Sequence, residues 1–599
     1  MLPVLCVSRR RAYKSSPLGL STPRGCTGSV VLVSQADTCS LVQILNVFSY
    51  NSLPCFRQQR LPQMEPATER DETFWAPGTV TLEDLHRSTD KVVLHPKPTS
   101  DPNDPLNWSA TRKTVNFVLV SLYVLLTFVQ LDIGFTAWQQ YQDELGFSIS
   151  LLNAAAAINY AGLAVGCVFF VPLVQKYGRR PVYIFSTVLQ LVSCIWFAVT
   201  QTTGDLVGSN LISGLGGAIS ETIVQITIAD IFFVHNHAAM NGWYLLATFT
   251  GAYLGPVASG YIVENQGWRW MWWWCVILFG VNLVLILFFF EESKYVSVIH
   301  GQSAPAPPRD ADGPSDGLKK LHSDNKDGEL VHTQSMSHLD PSIPMRSYRE
   351  RLALLTPTGG SILFDMYNPV VLLFRFPAIA YTAITYGSLL AWFAVLISIQ
   401  ATYLFEPPYN FSAAGVGLMN VAPFVGSIPG IIIGGYLNDK SIIWLSRRNG
   451  GIYEPEMRLW IALPAAIVTP AGILMFGLGL AYEAPWPLLA VGFGIFGFGL
   501  IVAGDSALSY AMDCYHDIIG NALVGVVFTR NAISVVVLFA LTPWVSAMGL
   551  RDLHILIGVL SFVILLLPVA LLVWGKKARI ATARSYMEMA RRQPTRRDV

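Results

Sequence analysis

Charged residues are scarce in this sequence. Asp, Glu, Lys and Arg make up 13% of its 599 residues, whereas about a quarter is usual in soluble globular domains. Hydrophobic residues make up 52%, so the composition indicates a chain that needs lipid as its solvent. The formal net charge is only +1, and the absence of a basic excess argues against nucleic acid as a partner.

The cysteines and histidines lack the spacing that metal sites require. The sequence contains no Cys-x-x-Cys pair, and such spacings are the usual sign of zinc sites. His235 and His237 form a short pair, but no third ligand accompanies them. Nucleophile and phosphate-binding motifs are also missing. We therefore predict no metal, no cofactor and no enzymatic activity.

Long apolar runs dominate what is present. From Val115 onward they recur at about the 20-residue length that crosses a bilayer. Six runs precede a polar interval and six follow it, a layout typical of transporters built from two related bundles. The predicted fold is an all-α membrane protein of twelve transmembrane helices in two six-helix bundles. The predicted helices cover residues 115–136, 150–172, 182–203, 206–230, 238–262, 269–290, 378–402, 413–437, 459–482, 487–511, 519–541 and 552–574.

The distribution of Lys and Arg predicts how the chain lies in the membrane. Basic residues concentrate after the second and eighth helices and in the carboxyl tail, so these segments and both termini are predicted to face the cytosol. The predicted segments are a cytosolic stretch at 64–114, a first bundle at 115–290, a partly disordered cytosolic linker at 291–377, a second bundle at 378–574 and a basic cytosolic tail at 575–599.

The first 63 residues differ from the rest. They hold seven Lys or Arg and a single acid, Asp37, a composition similar to that of a transit peptide. Three Arg residues follow the short apolar start instead of preceding it, which does not fit a secretory signal. We predict that residues 1–63 are a non-functional extension and that translation begins at Met64.

A dense basic motif fills the turn after the second predicted helix. Gly178 permits a tight turn there, and the neighbouring Arg pair can anchor helix ends. The loop resembles the signature loop of the major facilitator superfamily, Gly-x-x-x-Asp-Arg-x-Gly-Arg-Arg, with Gln175 in place of the usual Asp. The resemblance implies a gating role, whereas the alternative is that these charges only fix topology. The candidate gating residues are Lys176, Gly178, Arg179 and Arg180.

The corresponding loop of the second half contains Asp439 and Arg448. A carboxylate and a guanidinium can latch two helices in one conformation and release them in another, so we predict that these two residues pair. Three stretches resemble fungal facilitators of the drug:proton antiporter type: the residues around Arg448, the segment from Glu454 to Leu459 and the run from His95 to Trp108. Within that type, they are similar to the group of the yeast low-selectivity cation and polyamine transporter. This resemblance implies a proton-coupled transporter of the fungal plasma membrane.

The fifth predicted helix carries a motif of small residues. It comprises Gly251, Gly255, Pro256 and Gly260, and Ser259 lies between the last two. The motif resembles the one associated with exporters of the superfamily, Gly-x-x-x-Gly-Pro-x-x-Gly-Gly, with Ser259 in place of one Gly. The resemblance implies export, and the alternative is simple close packing of helices.

Ionisable residues inside the predicted helices are candidates for proton coupling or for the cavity, because charge in a bilayer costs several kcal/mol unless it has a partner. Glu221 is the first candidate for the proton-titrating carboxylate, with a structural hydrogen bond as the alternative. Arg530 and Asn531 are predicted either to bind an anionic group or to neutralise Asp505. The full set is Asp132, Glu221, Asp505, Arg530 and Asn531, with Trp138, Tyr160, Tyr386 and Trp392 as candidate aromatic cavity residues.

The predicted function is proton-coupled export of a small organic compound, such as a drug, toxin or secondary metabolite, by a monomer in the plasma membrane. The partners are the substrate, protons and the lipid bilayer. One alternative is proton-driven uptake of polyamines or other organic cations, which the family resemblance also implies. A second alternative is a membrane sensor that transports nothing.

Overall fold

The computed structural model of the protein describes residues 76–81, 101–295, 344–357 and 362–592. The predicted extension at 1–63 lies outside the described residues, as do the run from His95 to Ser100 and most of the polar linker. The side chains of His235 and His237 are also outside the description.

The first half of the protein begins at Ala110, and its helices start and stop where local chemistry favours it. Ser148 accepts the N–H of Leu151 at the start of one helix, and Thr202 with Asp205 forms a reciprocal capping box at another. Gly178 has φ of 114° and ends the helix before it. The helices are α1 (Ala110–Ile133), α2 (Trp138–Leu145), α3 (Ile149–Tyr177), α4 (Arg180–Ala198), α5 (Thr203–Ile231), α6 (Val234–Phe249), α7 (Gly255–Gln266) and α8 (Trp268–Phe289).

The second half follows two short helices of the linker. Pro377 and Pro485 stand at helix starts. The N–H groups there have no acceptor within the helix, so a proline, which lacks the N–H, costs no hydrogen bond. The linker helices are α9 (Tyr348–Arg351) and α10 (Ile362–Arg375), and the second half comprises α11 (Pro377–Tyr403), α12 (Ala413–Met419), α13 (Val421–Ile431), α14 (Asn438–Arg448), α15 (Leu459–Ala481), α16 (Trp486–Cys514), α17 (Ile519–Leu565) and α18 (Leu567–Arg592).

Short irregular elements complete the described chain. Strand β1 (Val80–Thr81) pairs antiparallel with β2 (Ile452–Tyr453). Two π-helical turns interrupt long helices, and each turn contains glycine. The π turns are Thr250–Leu254 and Ile432–Leu437, and the 3-10 turns are Pro105–Asn107, Gly134–Ala137, Pro455–Arg458 and His516–Ile518.

The predicted all-helical membrane fold is confirmed, with ten helices in the described residues long and apolar enough to cross a bilayer. The number twelve stays a prediction. One candidate span runs for 72 residues from Ile519 to Ala590, but Gly549 within it has non-helical dihedral angles. The segment from Val234 to Gln266 is divided by its π turn and is not among the ten.

Two ends of the molecule can be distinguished by their loops. We call the end that holds residues 176–180, 290–295, 344–357 and 449–458 the linker end, and the opposite end the distal end. At the distal end one hydrophobic core joins both halves: the ring of Tyr253 meets that of Phe393 edge to face, with centroids 5.5 Å apart. Toward the linker end separate cores serve mainly one half each. The two halves are therefore closed against each other at the distal end.

Candidate functional site

A buried ion pair joins the two halves near the middle of the protein. Glu221 lies near the middle of α5, and Nη2 of Arg530 from α17 forms an ion pair with its Oε1. Nδ2 of Asn531 donates to Oε2 of the same carboxylate at 2.8 Å. The exposed fractions of the Arg530 and Glu221 side chains are 8% and 4%. Both carboxylate oxygens of Glu221, in the first half, are therefore bound by side chains of the second half.

Two tyrosines lie near this bridge. The guanidinium carbon of Arg530 lies 5.2 Å from the ring centre of Tyr386 on α11, a distance at which a cation is attracted to the ring face. Tyr160 of α3 lies within electrostatic range of Glu221, Arg530 and Asp132. Both tyrosines were candidate cavity residues, and the structure places them around the charged centre.

Of the two alternatives for Arg530, neutralisation of Asp505 is wrong, because Glu221 is the carboxylate that pairs with Arg530. Asp505 lies on α16 against the second π turn, where a Cβ on Gly434 would be 3.3 Å from its Oδ2. Its electrostatic neighbours are Arg458 and Asp439 at the linker end. Sequence spacing could not show this, since it does not tell which helices pack together.

Asp132 stands apart from the central bridge. It is 2% exposed on α1, and its Oδ1 has no hydrogen-bond partner within the part of the chain that the structure describes. A buried carboxylate oxygen without a partner is costly. The structure thus brings together three of the five predicted intramembrane residues and leaves Asp132 and Asp505 at separate places.

A small cavity of about 50 Å³ lies within the first half. Gln130 and Asn159 line it with Trp138, Tyr160 and Trp272. The amide oxygens of Gln130 and Asn159 have no hydrogen-bond partner among the described residues. Of these residues, Trp138 and Tyr160 were predicted as cavity candidates, whereas the two amides were missed because single polar residues in an apolar helix carry no distinctive pattern.

The basic motif at the linker end is anchored within the first half. Backbone N–H groups of Arg179 and Arg180 donate to the carboxylate of Glu292 at 2.9 and 3.0 Å. The Arg179 side chain binds Asp230 at 2.8 Å, and that of Arg180 donates to the carbonyl oxygen of Phe290 at 2.9 Å. Burial raises the pKa of Glu292, although these N–H groups oppose the shift. The loop is thereby fixed to the ends of α5 and α8.

The side chain of Lys294 joins the same loop to the linker. Nζ of Lys294 donates to the carbonyl oxygens of Lys176 and Thr356 at 2.8 and 2.7 Å. Burial lowers the pKa of Lys294 to about 8. Sequence reasoning missed Glu292 and Lys294, although an acidic and basic cluster directly after an apolar helix was a visible signal.

One side chain of the basic loop reaches the second half. Nε2 of Gln175 donates to Oδ1 of Asn521 on α17 at 3.3 Å. Gln175 occupies the position where the related motif has Asp. This chain therefore has a neutral amide contact between the halves at that position.

The predicted pair of Asp439 with Arg448 is wrong. The structure pairs Asp439 with Arg458 at 3.2 Å, and Arg458 also binds Asp513. The guanidinium carbon of Arg448 instead lies 3.8 Å from the ring centre of Trp444. Asp439 and Arg448 are separated by nearly the whole of α14 and point to opposite sides of it, because nine residues turn a helix by about 900°.

The small-residue motif packs against two other helices, α1 and α12. A Cβ on Gly251 would lie 2.5 Å from the carbonyl oxygen of Leu125 in α1. On the other side, a Cβ on Gly260 would lie 2.5 Å from the carbonyl oxygen of Ala413 in α12. Gly255 likewise faces α1, and Pro256 faces Gly417 of α12. The motif therefore seals the first half against the second at the distal end.

Comparison with known proteins shows the family to which the chain belongs. Residues 117–538 match the family model described as Major Facilitator Superfamily. An uncharacterised MFS-type transporter of Schizosaccharomyces pombe is 33% identical over 83% of this chain and 89% of its own length. Protein HOL1 of Saccharomyces cerevisiae is 29% identical over 88% of this chain and 99% of its own length. The MFS transporter cpaT of Aspergillus oryzae is 27% identical over 80% of this chain and 90% of its own length. The chain belongs to the Major Facilitator Superfamily and is a multi-pass membrane transporter.

Proposed function

We propose that the protein is a proton-coupled secondary transporter that exports a small organic compound, such as a drug or secondary metabolite. The observation that carries the proposal is the bridge from Glu221 to Arg530 and Asn531. A proton on Glu221 removes one charge of the pair and weakens the contact between the halves. Binding of a proton is thereby linked to their relative movement.

Proton flux in proteoliposomes tests this assignment. Substrate added to the parent protein is expected to move protons, and Glu221→Gln is expected to abolish that flux. Glu483→Gln is the matched control, because Glu483 is exposed in a distal loop. Unchanged proton coupling in Glu221→Gln, or transport by the parent that ignores pH gradients of either sign, contradicts the proposal.

Gating at the linker end is proposed to act through the neutral contact of Gln175 with Asn521. Lys176, Gly178, Arg179 and Arg180 hold the loop in place, so that the amide of Gln175 faces α17. In the second half, Asp439 is proposed to act with Arg458. The contact of Gln175 with Asn521 joins the two halves and must break if the linker end opens further.

Export is the proposed direction because the motif from Gly251 to Gly260 resembles that of exporters. Uptake of polyamines or other organic cations is the second candidate. The observation that favours it is Asp132, whose buried carboxylate has an oxygen without a described partner and offers a counter-charge to a cation. Accumulation of labelled spermidine by expressing cells, compared with a deletion strain, supports uptake; drug sensitivity of the deletion strain supports export.

The linker end is proposed to face the cytosol of a plasma membrane, because basic residues favour the cytosolic side. Epitope tags beside Lys176 and Arg448 are expected to remain inaccessible to antibody on intact cells. Antibody binding without permeabilisation contradicts this orientation.

A further inference from the structure

The linker helix α10 carries large apolar side chains that the described part of the chain leaves exposed. Its other face is buried, through Asn368, Pro369 and Leu372. The exposed fractions of Leu363 and Phe374 are 74% and 84%. The exposed apolar residues are Leu363, Tyr367, Val370, Val371 and Phe374.

The buried face fixes α10 against the transporter. A Cβ on Gly525 of α17 would lie 2.6 Å from the carbonyl oxygen of Pro369, so the two backbones are in direct contact. α10 also contacts α3 of the first half and α11 of the second. At its carboxyl end, Arg375 donates to Oγ of Ser585 on α18 at 2.8 Å. The exposed face is therefore held in a defined direction.

Length excludes a spanning role for α10. Its 14 residues extend about 21 Å at 1.5 Å per residue, whereas the hydrocarbon core of a bilayer is about 30 Å thick. Only Phe376 separates α10 from the candidate span Pro377–Tyr403. The exposed apolar face therefore lies where the chain enters the membrane.

The charges of α10 also fit a position at the membrane surface. Its only ionisable acid or base residues are Asp365 near one end and Arg375 at the other. Burial raises the pKa of Asp365, which eases its placement beside apolar surroundings. An apolar stripe on a short helix at the membrane boundary is typical of helices that lie in the interface plane.

We propose that α10 lies in the bilayer interface at the linker end, with Leu363, Tyr367 and Phe374 inserted between lipid headgroups and the upper acyl chains. The lipid surface covers the apolar stripe, and the bilayer thereby positions a segment that touches both halves. Apolar burial is favourable in proportion to the area removed from water, so side chains of this size favour insertion over exposure.

Depth-dependent quenching tests the proposal on the full chain in lipid nanodiscs. Leu363→Cys and Phe374→Cys are each labelled with an environment-sensitive fluorophore, and the labelled parent chain supplies the background from native cysteines. Arg447→Cys marks an exposed position in the last turn of α14, and Phe288→Cys marks an exposed apolar position in a candidate span. The emission of both α10 labels is expected to shift to the blue, with at least twofold stronger quenching by a shallow lipid nitroxide than at Arg447→Cys.

Two results overturn the proposal. Emission and quenching equal to those of Arg447→Cys show that the stripe faces water. Blue-shifted emission without quenching by any lipid nitroxide shows that protein, either a second copy or another segment, covers the stripe instead of lipid.

Discussion

At the residue scale, Glu221 and Arg530 depend on each other for their burial. Replacing Arg530 by Gln leaves the Glu221 charge buried without its ion pair, and such losses cost about 3–5 kcal/mol. We expect Arg530→Gln to lower the melting temperature of the detergent-solubilised protein markedly. Glu221→Gln combined with Arg530→Gln removes both charges and is expected to restore part of that loss.

The double variant discriminates between a coupled pair and two independent residues. If the loss in Glu221→Gln/Arg530→Gln equals the sum of the two single losses, the residues do not stabilise each other. Asn531→Ala serves as a milder comparison, because it removes one hydrogen bond to Glu221 and leaves the ion pair.

Lys294 gives the protein a stability that depends on pH. Burial lowers its pKa from the usual 10.5 to about 8, so the folded state releases this proton at lower pH than the unfolded state. Between these values the unfolded state binds the extra proton, and the free energy of unfolding therefore rises with pH. Melting temperatures from pH 7.5 to 10 are expected to show this rise in the parent protein and to lack it in Lys294→Met.

Lys577→Met is the control for that measurement, since Lys577 is exposed on α18. Its pH profile is expected to follow the parent. A profile of Lys294→Met that is parallel to the parent from pH 8 to 10 contradicts the assignment of this titration to Lys294.

At the scale of elements, close contact between α7 and α12 depends on a missing side chain. A Cβ at position 260 would lie 2.5 Å from the carbonyl oxygen of Ala413, so Gly260→Ala must push the helices apart. Overpacking of this kind costs about 1–3 kcal/mol. We expect Gly260→Ala to lower both the melting temperature and the transport rate.

The matched control is Gly280→Ala in α8, where no atom of the described residues, apart from the adjoining backbone of α8 itself, lies within 4 Å of the added Cβ. Alanine favours helix over glycine by about 1 kcal/mol, so Gly280→Ala is expected to be neutral or stabilising. Equal effects of the two substitutions contradict a specific contact between α7 and α12.

At the scale of the whole molecule, polar contacts close the distal end. Asn153 of α3 receives a hydrogen bond from Ser398 of α11 and donates to Thr542 of α17 at 3.1 Å. Asn153→Cys with Thr542→Cys, joined by a short thiol cross-linker, is expected to lock this end and reduce transport at least tenfold. A reducible cross-linker allows recovery on reduction to be measured.

Transport that continues at the parent rate after complete cross-linking contradicts a movement that separates the halves at the distal end. Each single Cys variant treated with the same reagent controls for modification alone. The four cysteines in the described residues, Cys167, Cys194, Cys275 and Cys514, are buried, and the treated parent chain reveals any contribution from the others.

The amino-acid sequence by itself determined that the chain is an all-helical membrane protein, because long apolar runs can satisfy their backbone groups in lipid only as helices. It also singled out Glu221 and Arg530 as candidates, since buried charge is costly and rare, and Asn531 as the neighbour of Arg530 along the chain. Only the tertiary structure decided the partners: Glu221 with Arg530, and Asp439 with Arg458 in place of Arg448. The physical reason is that an ion pair depends on which helices pack together and on the faces that they present, and separation along the chain specifies neither.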